Sequence, residues 1–186
     1  MTPKSHLTIL RILALVGVIG IISALFVFKN QVKKLEEFGY IGIFLLSIAA
    51  NATIIIPLPG VAFTTAMGAI FSPVGVAVAA GLGAAIGEMT GYAAGFSGQE
   101  VVERINVYIR LTSWMKVHQN LAYGVILLLA FIPNPLFDLA GMSSGALKLP
   151  VWKFLIACSI GKILKMLMFA YAGYYSISWI TGIFGK

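Results

Sequence analysis

Charge is scarce in this chain. Of 186 residues, 10% are charged and 60% hydrophobic, against about 25% charged in an ordinary soluble domain. With a mean hydropathy of +0.98, the shortage excludes a soluble globular protein. Cysteine is scarcer still. Cys158 stands alone in an apolar run, so the chain forms no internal disulfide and no cysteine metal site. His6 and His118 have no ligand partner at helical spacing. The HExxH, GxSxG and P-loop patterns are missing. An enzyme, a cofactor and a metal are therefore not expected. No hydrophilic stretch is long enough for a second domain, so residues 1–186 read as one membrane domain. The formal net charge of +7 does not signal nucleic acid, because the basic residues are scattered between apolar runs. Lys and Arg so placed suit lipid headgroups on the cytoplasmic leaflet.

What is present is a series of long apolar runs. Residues 12–28, bounded by Arg11 and Lys29, read as an uncleaved first transmembrane helix. A signal peptide is the competing reading, but its apolar region is usually about 7–15 residues and ends in a small-residue site. A polar connector, 29–38, follows. Residues 40–72 carry no charge and are cut at Pro57, Pro59 and Gly60. The arm after the break has about 12 residues, roughly 18 Å as a helix, short of the ~30 Å hydrocarbon core. Such arms predict a re-entrant hairpin; a kinked spanning helix followed by an interfacial one is the alternative. Residues 74–96 predict a clean spanning helix and complete a unit over 40–96. Gly83, Gly87, Gly91 and Gly95 recur every fourth residue, a pattern that lets a neighbouring backbone approach closely. Residues 99–120 are the most polar stretch, either an amphipathic helix in the interface or a solvated connector. The second interrupted segment, 121–149, breaks at Pro133, Asn134 and Pro135. A second spanning helix, 151–175, completes the unit 121–175, and the tail 176–186 is expected at the interface.

The two units resemble each other. Pro57, Gly68, Pro73 and Glu88 are followed about 77 residues later by Pro133, Gly145, Pro150 and Lys165. A duplicated pair of interrupted segments points to a transport site where the repeats meet. With the N-terminus inside, Lys29, Lys33, Lys34 and Lys186 fall outside. Lys4, Arg11, Arg104, Arg110, Lys116, Lys148 and Lys153 fall inside, a bias that favours this orientation. The hairpins then enter from opposite sides. The expected fold is an all-α integral membrane protein, with transmembrane helices plus two oppositely oriented re-entrant hairpins related as an inverted repeat.

Glu88 is the leading candidate residue. A carboxylate in the middle of an apolar helix faces the bundle interior or a water-filled cavity, and is a candidate proton carrier. Tyr92 lies one turn on, at the same face. Asp138, at the second break, either caps the next helix or handles substrate or protons. Asn134 is placed to satisfy backbone groups freed by the flanking prolines. Lys162 and Lys165, three apart, share a broad face. They form an ion pair with Glu88 or Asp138, dock an anionic headgroup, or snorkel to the interface.

Gly87-Glu-Met-Thr-Gly-Tyr-Ala-Ala-Gly95 resembles the ExxGYxxG motif of the DedA family, also called the VTT or SNARE-associated Golgi protein superfamily. Phe131-Ile-Pro-Asn-Pro-Leu-Phe-Asp-Leu-Ala-Gly141 is similar to that family's second hairpin motif, and Pro57-Leu-Pro-Gly60 to its first. The resemblance covers roughly residues 40–175. It implies opposed re-entrant hairpins and movement of phospholipids or polyprenyl-phosphate carriers between leaflets, in some members with proton coupling. The positions it carries over are Glu88, Gly91, Tyr92, Gly95, Pro133, Asn134, Asp138 and Gly141. Bacterial members often place acids around the first hairpin, where this chain has Asn51 and Val61. They often place two arginines around the second, where it has Ala130 and Leu136. Lys162 and Lys165 are the candidates to replace those cations.

The expected function is a lipid scramblase or flippase in the cell membrane, acting on anionic phospholipid or lipid-linked phosphate, with protons as a possible second partner and homo-oligomers allowed. A proton-coupled transporter of a small ion or solute is the first alternative. A non-transporting assembly or scaffold protein, suited to the glycine ladder, is the second.

Overall fold

The computed structural model describes residues 36–52, 60–97, 106–134 and 136–184. The expected first transmembrane helix, 12–28, and the breaks at Pro57, Pro59 and Pro135 lie outside the described residues. Every regular element described is a helix. In chain order they are α1 (Glu36–Ala52), α2 (Gly60–Gly68), α3 (Pro73–Gly87), α4 (Met89–Phe96), α5 (Asn106–Val117), α6 (Gln119–Phe131), α7 (Leu136–Ala146) and α8 (Val151–Phe184).

Local chemistry sets most of these boundaries. Pro73 occupies the first turn of α3, where its missing N–H costs nothing. Pro133 disfavours helical backbone at Ile132, which is extended (φ −75°, ψ 131°) and ends α6. After α7 the chain turns through Lys148, whose φ of 53° is left-handed. The Leu149 N–H then donates to the Ser144 carbonyl at 3.0 Å and the Lys148 N–H to that of Gly145 at 2.9 Å, satisfying carbonyls that the helix end leaves open.

Several elements differ from the sequence expectation. Residues 36–38, expected in the polar connector, are already part of α1. The arm after the first break has 9 residues rather than about 12. Residues 74–96 are not one clean helix: regular structure lapses at Glu88, between α3 and α4. The backbone ladder nevertheless continues, from Glu88 N–H to Ala84 O (3.0 Å) and from Tyr92 N–H to Glu88 O (3.2 Å). Thr90 Oγ1 also donates to the Gly87 carbonyl at 3.0 Å. Such side-chain back-bonding accompanies bends in helices. Beyond residue 175 the chain continues as helix to Phe184. The polar stretch contains the helix α5, which packs on α7 through buried Met115 and a 2.8 Å hydrogen bond between the Thr112 and Ser143 hydroxyls.

Among the described residues two helical stretches are long and apolar enough to cross a membrane, Pro73–Phe96 and Val151–Ser176. Each exposes an apolar stripe at four-residue spacing: Val74, Val78, Leu82 and Ile86 on the first, Trp152, Ile156, Ile160, Leu164 and Met168 on the second. Small residues face inward instead, with Ala77, Ala80 and Ala84 fully buried. Large apolar side chains outside and small ones inside suit a lipid surround.

The helices alternate between the two halves. The first arm of each half lies along its own long helix, α1 on α3 and α6 on α8. The second arm packs on the long helix of the other half, α2 on α8 and α7 on α4. A Cβ on Gly68 would collide with the backbone of Ala170, and one on Gly145 with that of Tyr92. A Cβ on Gly173 would meet the Thr65 carbonyl, and one on Gly95 that of Met142. Gly68 and Gly145, like Thr65 and Met142, are about 77 residues apart, so one set of close approaches is made twice.

Candidate functional site

The arms and long helices leave a cavity of about 230 Å³, lined by Asn51, Glu88, Thr90, Gly91, Asn134, Phe137, Asp138, Lys162 and Lys165, with Ala50 and Met142 beside them. Its walls come from both halves. Asn51 ends the first arm of one half. Asn134 and Asp138 begin the second arm of the other. Glu88 sits where α3 gives way to α4, and the two lysines lie on α8.

Glu88 and Lys162 form a direct ion pair, the only one among the described residues. Glu88 is 7% exposed and Lys162 3%. Snorkelling of Lys162 is thereby excluded. Lys162 Nζ also donates to Asn51 Oδ1 at 3.2 Å and stands 4.6 Å from the centre of the Phe137 ring. One ammonium thus ties the tip of α1, the middle of the first span and the start of α7. Asn51 is held for this by its own Nδ2, which donates to the Ser47 carbonyl at 2.9 Å.

Asn134 serves the second break. Its Nδ2 donates to the carbonyls of Leu129 (2.9 Å) and Ile132 (2.7 Å), and its Oδ1 accepts from the Leu136 N–H (2.8 Å). Capping was one of the two roles open to Asp138; the Leu136 N–H is met by Asn134, whose side chain precedes the first turn. Asp138 stands inside that turn and is exposed. There the helix dipole favours its negative charge. Lys165 is half-buried at the cavity wall, with no carboxylate in ion-pair range among the described residues.

Tyr92 does not join the cavity. It is buried between the halves, its ring centre 5.3 Å from that of Phe154, and its hydroxyl donates to the Leu149 carbonyl at 2.6 Å. A buried Tyr needs a partner for its hydroxyl, and the carbonyl ahead of Pro150 supplies one. Gly91 lines the cavity, Gly95 lets α7 approach, Gly141 is buried beside Tyr92 and Phe154, and Gly60 opens α2. Pro133 follows α6. Sequence reasoning passed over Asn51 as a site residue. Its signal was an amide in an uncharged run shortly before a proline break.

Among the described residues no cluster of three or more His, Cys, Asp or Glu is arranged to hold a metal ion. The arrangement presents charges of both signs and two amide side chains to one cavity.

Comparison with known proteins gives consistent matches. Vacuole membrane protein KMS2 of Arabidopsis thaliana is 40% identical over 101 residues, which are 44% of this chain and 24% of that protein. Vacuole membrane protein 1 of Bos taurus is 40% identical over 107 residues, 46% of this chain and 26% of the relative. The Dictyostelium discoideum homolog is 56% identical over 43 residues, 23% and 11% of the two chains. The chain therefore spans about a quarter or less of these relatives. No solved structure matches it. Residues 58–175 match the model of the VTT domain. That match takes in the Glu88 and Asp138 motifs and well over half of the residues, and the chain belongs to the VTT domain family.

Proposed function

We propose that this chain moves a phosphate-bearing lipid between membrane leaflets, as a scramblase or flippase and not as an enzyme. We read α1–α2 and α6–α7 as re-entrant hairpins entering from opposite faces, an inverted repeat. Support comes from levels along the long helices. At the start of α3, Gly75 lies against Tyr40, at the start of α1; further along, Gly87 lies against Ile48, near its end. In the other half, Lys153 sits over Tyr123 (5.5 Å) and Gly161 lies against Leu127. Each first arm thus starts level with the start of its long helix and ends beside the middle of it. Each second arm then leads back to that starting level, α2 to Pro73 and α7 to Pro150.

The observation that carries the proposal is the gathering of Glu88, Asp138, Lys162, Lys165 and Asn134 around one cavity, beside the end of α1 and the break between α6 and α7. A headgroup would pass through this polar region while its acyl chains stay in the bilayer. The phosphate of the lipid is favoured by Lys165, which lines the cavity and has no ion-pair partner among the described residues. Glu88 already has Lys162 as its counter-ion. That favours headgroup passage over proton-coupled solute transport.

Membrane residence follows from the family and the two spans. The names of the relatives point to a vacuole membrane, whereas the sequence expectation was the cell membrane; fractionation of the expressing cells decides between them. The activity is tested with acyl-labelled lipid in proteoliposomes treated with dithionite. Scrambling predicts quenching beyond the outer-leaflet half. Quenching that stops at about half, as in empty vesicles, overturns it.

A further inference from the structure

We propose that the cavity takes a zwitterionic headgroup, its phosphate against Lys165 and its ammonium against Asp138. This rests on the lipid-transport reading and narrows it to phospholipids that carry an amine.

The argument is an inventory of charge. Four charged side chains line the cavity, two of each sign. Glu88 and Lys162 neutralise each other. The remaining capacity of Lys162 goes to Asn51 and to the face of Phe137. That leaves Lys165 and Asp138, and neither has an ion-pair partner among the described residues, including each other. They belong to different halves, α8 and α7. Two opposite charges that share a cavity without touching are both satisfied by one ligand that carries both signs.

An anionic headgroup without an amine satisfies Lys165 but leaves Asp138 facing its negative charge, an unfavourable element that creates selectivity. A purely cationic ligand meets the reverse problem at Lys165. Size agrees with a headgroup. At about 230 Å³ the cavity is smaller than the roughly 300–1,000 Å³ of sites that swallow a whole drug-sized ligand. Acyl chains would have to remain outside.

The test compares acyl-labelled phosphatidylethanolamine with acyl-labelled phosphatidylglycerol in proteoliposomes of the full chain. The expected result is faster movement of the zwitterion, by about fivefold, the worth of one half-exposed charge contact. Asp138→Asn should slow phosphatidylethanolamine alone and bring the ratio towards one. Lys165→Gln should slow both. Asp138→Lys should turn the preference towards phosphatidylglycerol, a gain that a misfolded variant cannot show. Equal rates for the two lipids in the unaltered protein overturn this proposal and leave lipid movement standing. So does equal slowing of both lipids by Asp138→Asn. Movement of neither lipid overturns both readings. Trapped glycerophosphoethanolamine, the same zwitterion without chains, should stay inside. Its release without lipid movement would transfer the site to a soluble substrate and overturn the lipid source.

Discussion

Lys162 reaches Glu88 across the contact between the two long helices, and little of either side chain is exposed. Desolvation makes such a pair a weak source of net stability, but each partner depends on the other. Removing one leaves an uncompensated buried charge, at a cost of about 3–5 kcal/mol. Glu88→Gln and Lys162→Gln should each lower the thermal unfolding midpoint in detergent substantially. The double substitution should lose clearly less than the sum of the two. Single variants as stable as the parent, or strictly additive losses, would show that the pair is not coupled. The sequence marked both residues as charges out of place, because few charges survive inside apolar helices. It did not select the partner: Lys162 and Lys165 are three apart, and the repeat landmarks align Glu88 with Lys165. Only the packing of α3 on α8 decides. Tyr92 escaped for a related reason. Helical spacing placed it on the face of Glu88, but a long side chain goes where its hydroxyl finds an acceptor, here the Leu149 carbonyl.

At the scale of elements, glycine does the joining. The ladder Gly83, Gly87, Gly91, Gly95 predicts one face for one neighbour. The structure divides it: Gly83 and Gly87 receive the carbonyls of Phe44 and Ile48 on α1, while Gly95 receives that of Met142 on α7. Helical geometry explains the division. Four residues at 3.6 per turn overshoot by about 40°, so from Gly83 to Gly95 the stripe turns by roughly 120°. The small-residue pattern was therefore legible, and the identity of the neighbours was not. Gly95→Ala and Gly145→Ala should be destabilising by about 1–3 kcal/mol or more, because a methyl group meets backbone that cannot rotate away. At Gly42 and Gly124 a Cβ meets nothing within 4 Å. Alanine there should be neutral or stabilise by roughly 0.5–1 kcal/mol. Unfolding midpoints of the four variants check this; a loss at Gly124→Ala equal to that at Gly95→Ala would contradict the close-approach argument.

For the whole molecule, the second proline break was legible as the end of α6, since helix ends obey local rules; the first lies outside the described residues. Such breaks could not reveal that the second arm of each half packs on the long helix of the other, because that is a fact of assembly. This exchange ties the halves together and closes the cavity between them. It also gives the inverted-repeat proposal its sharpest consequence. Asn120 lies at the start of α6 and Lys148 follows α7. Were α6 and α7 one kinked crossing, with lengths of about 20 Å and 17 Å, these positions would face opposite sides of the membrane. If they form a re-entrant hairpin, both face the side reached by Ser97 at the end of α4, and Ser72, before α3, faces the other. Cysteine placed singly at Ser72, Ser97, Asn120 and Lys148 reports this through an impermeant maleimide, since native Cys158 is fully buried. In sealed vesicles that keep the non-cytoplasmic face outward, the reagent should label position 72 alone. The other three should react only after lysis, placing the basic Lys148 and Lys153 region in the cytoplasm as their charge favours. Labelling of positions 120 and 148 from opposite sides would make the second segment an ordinary crossing, and the cavity would lose its opposed entrances.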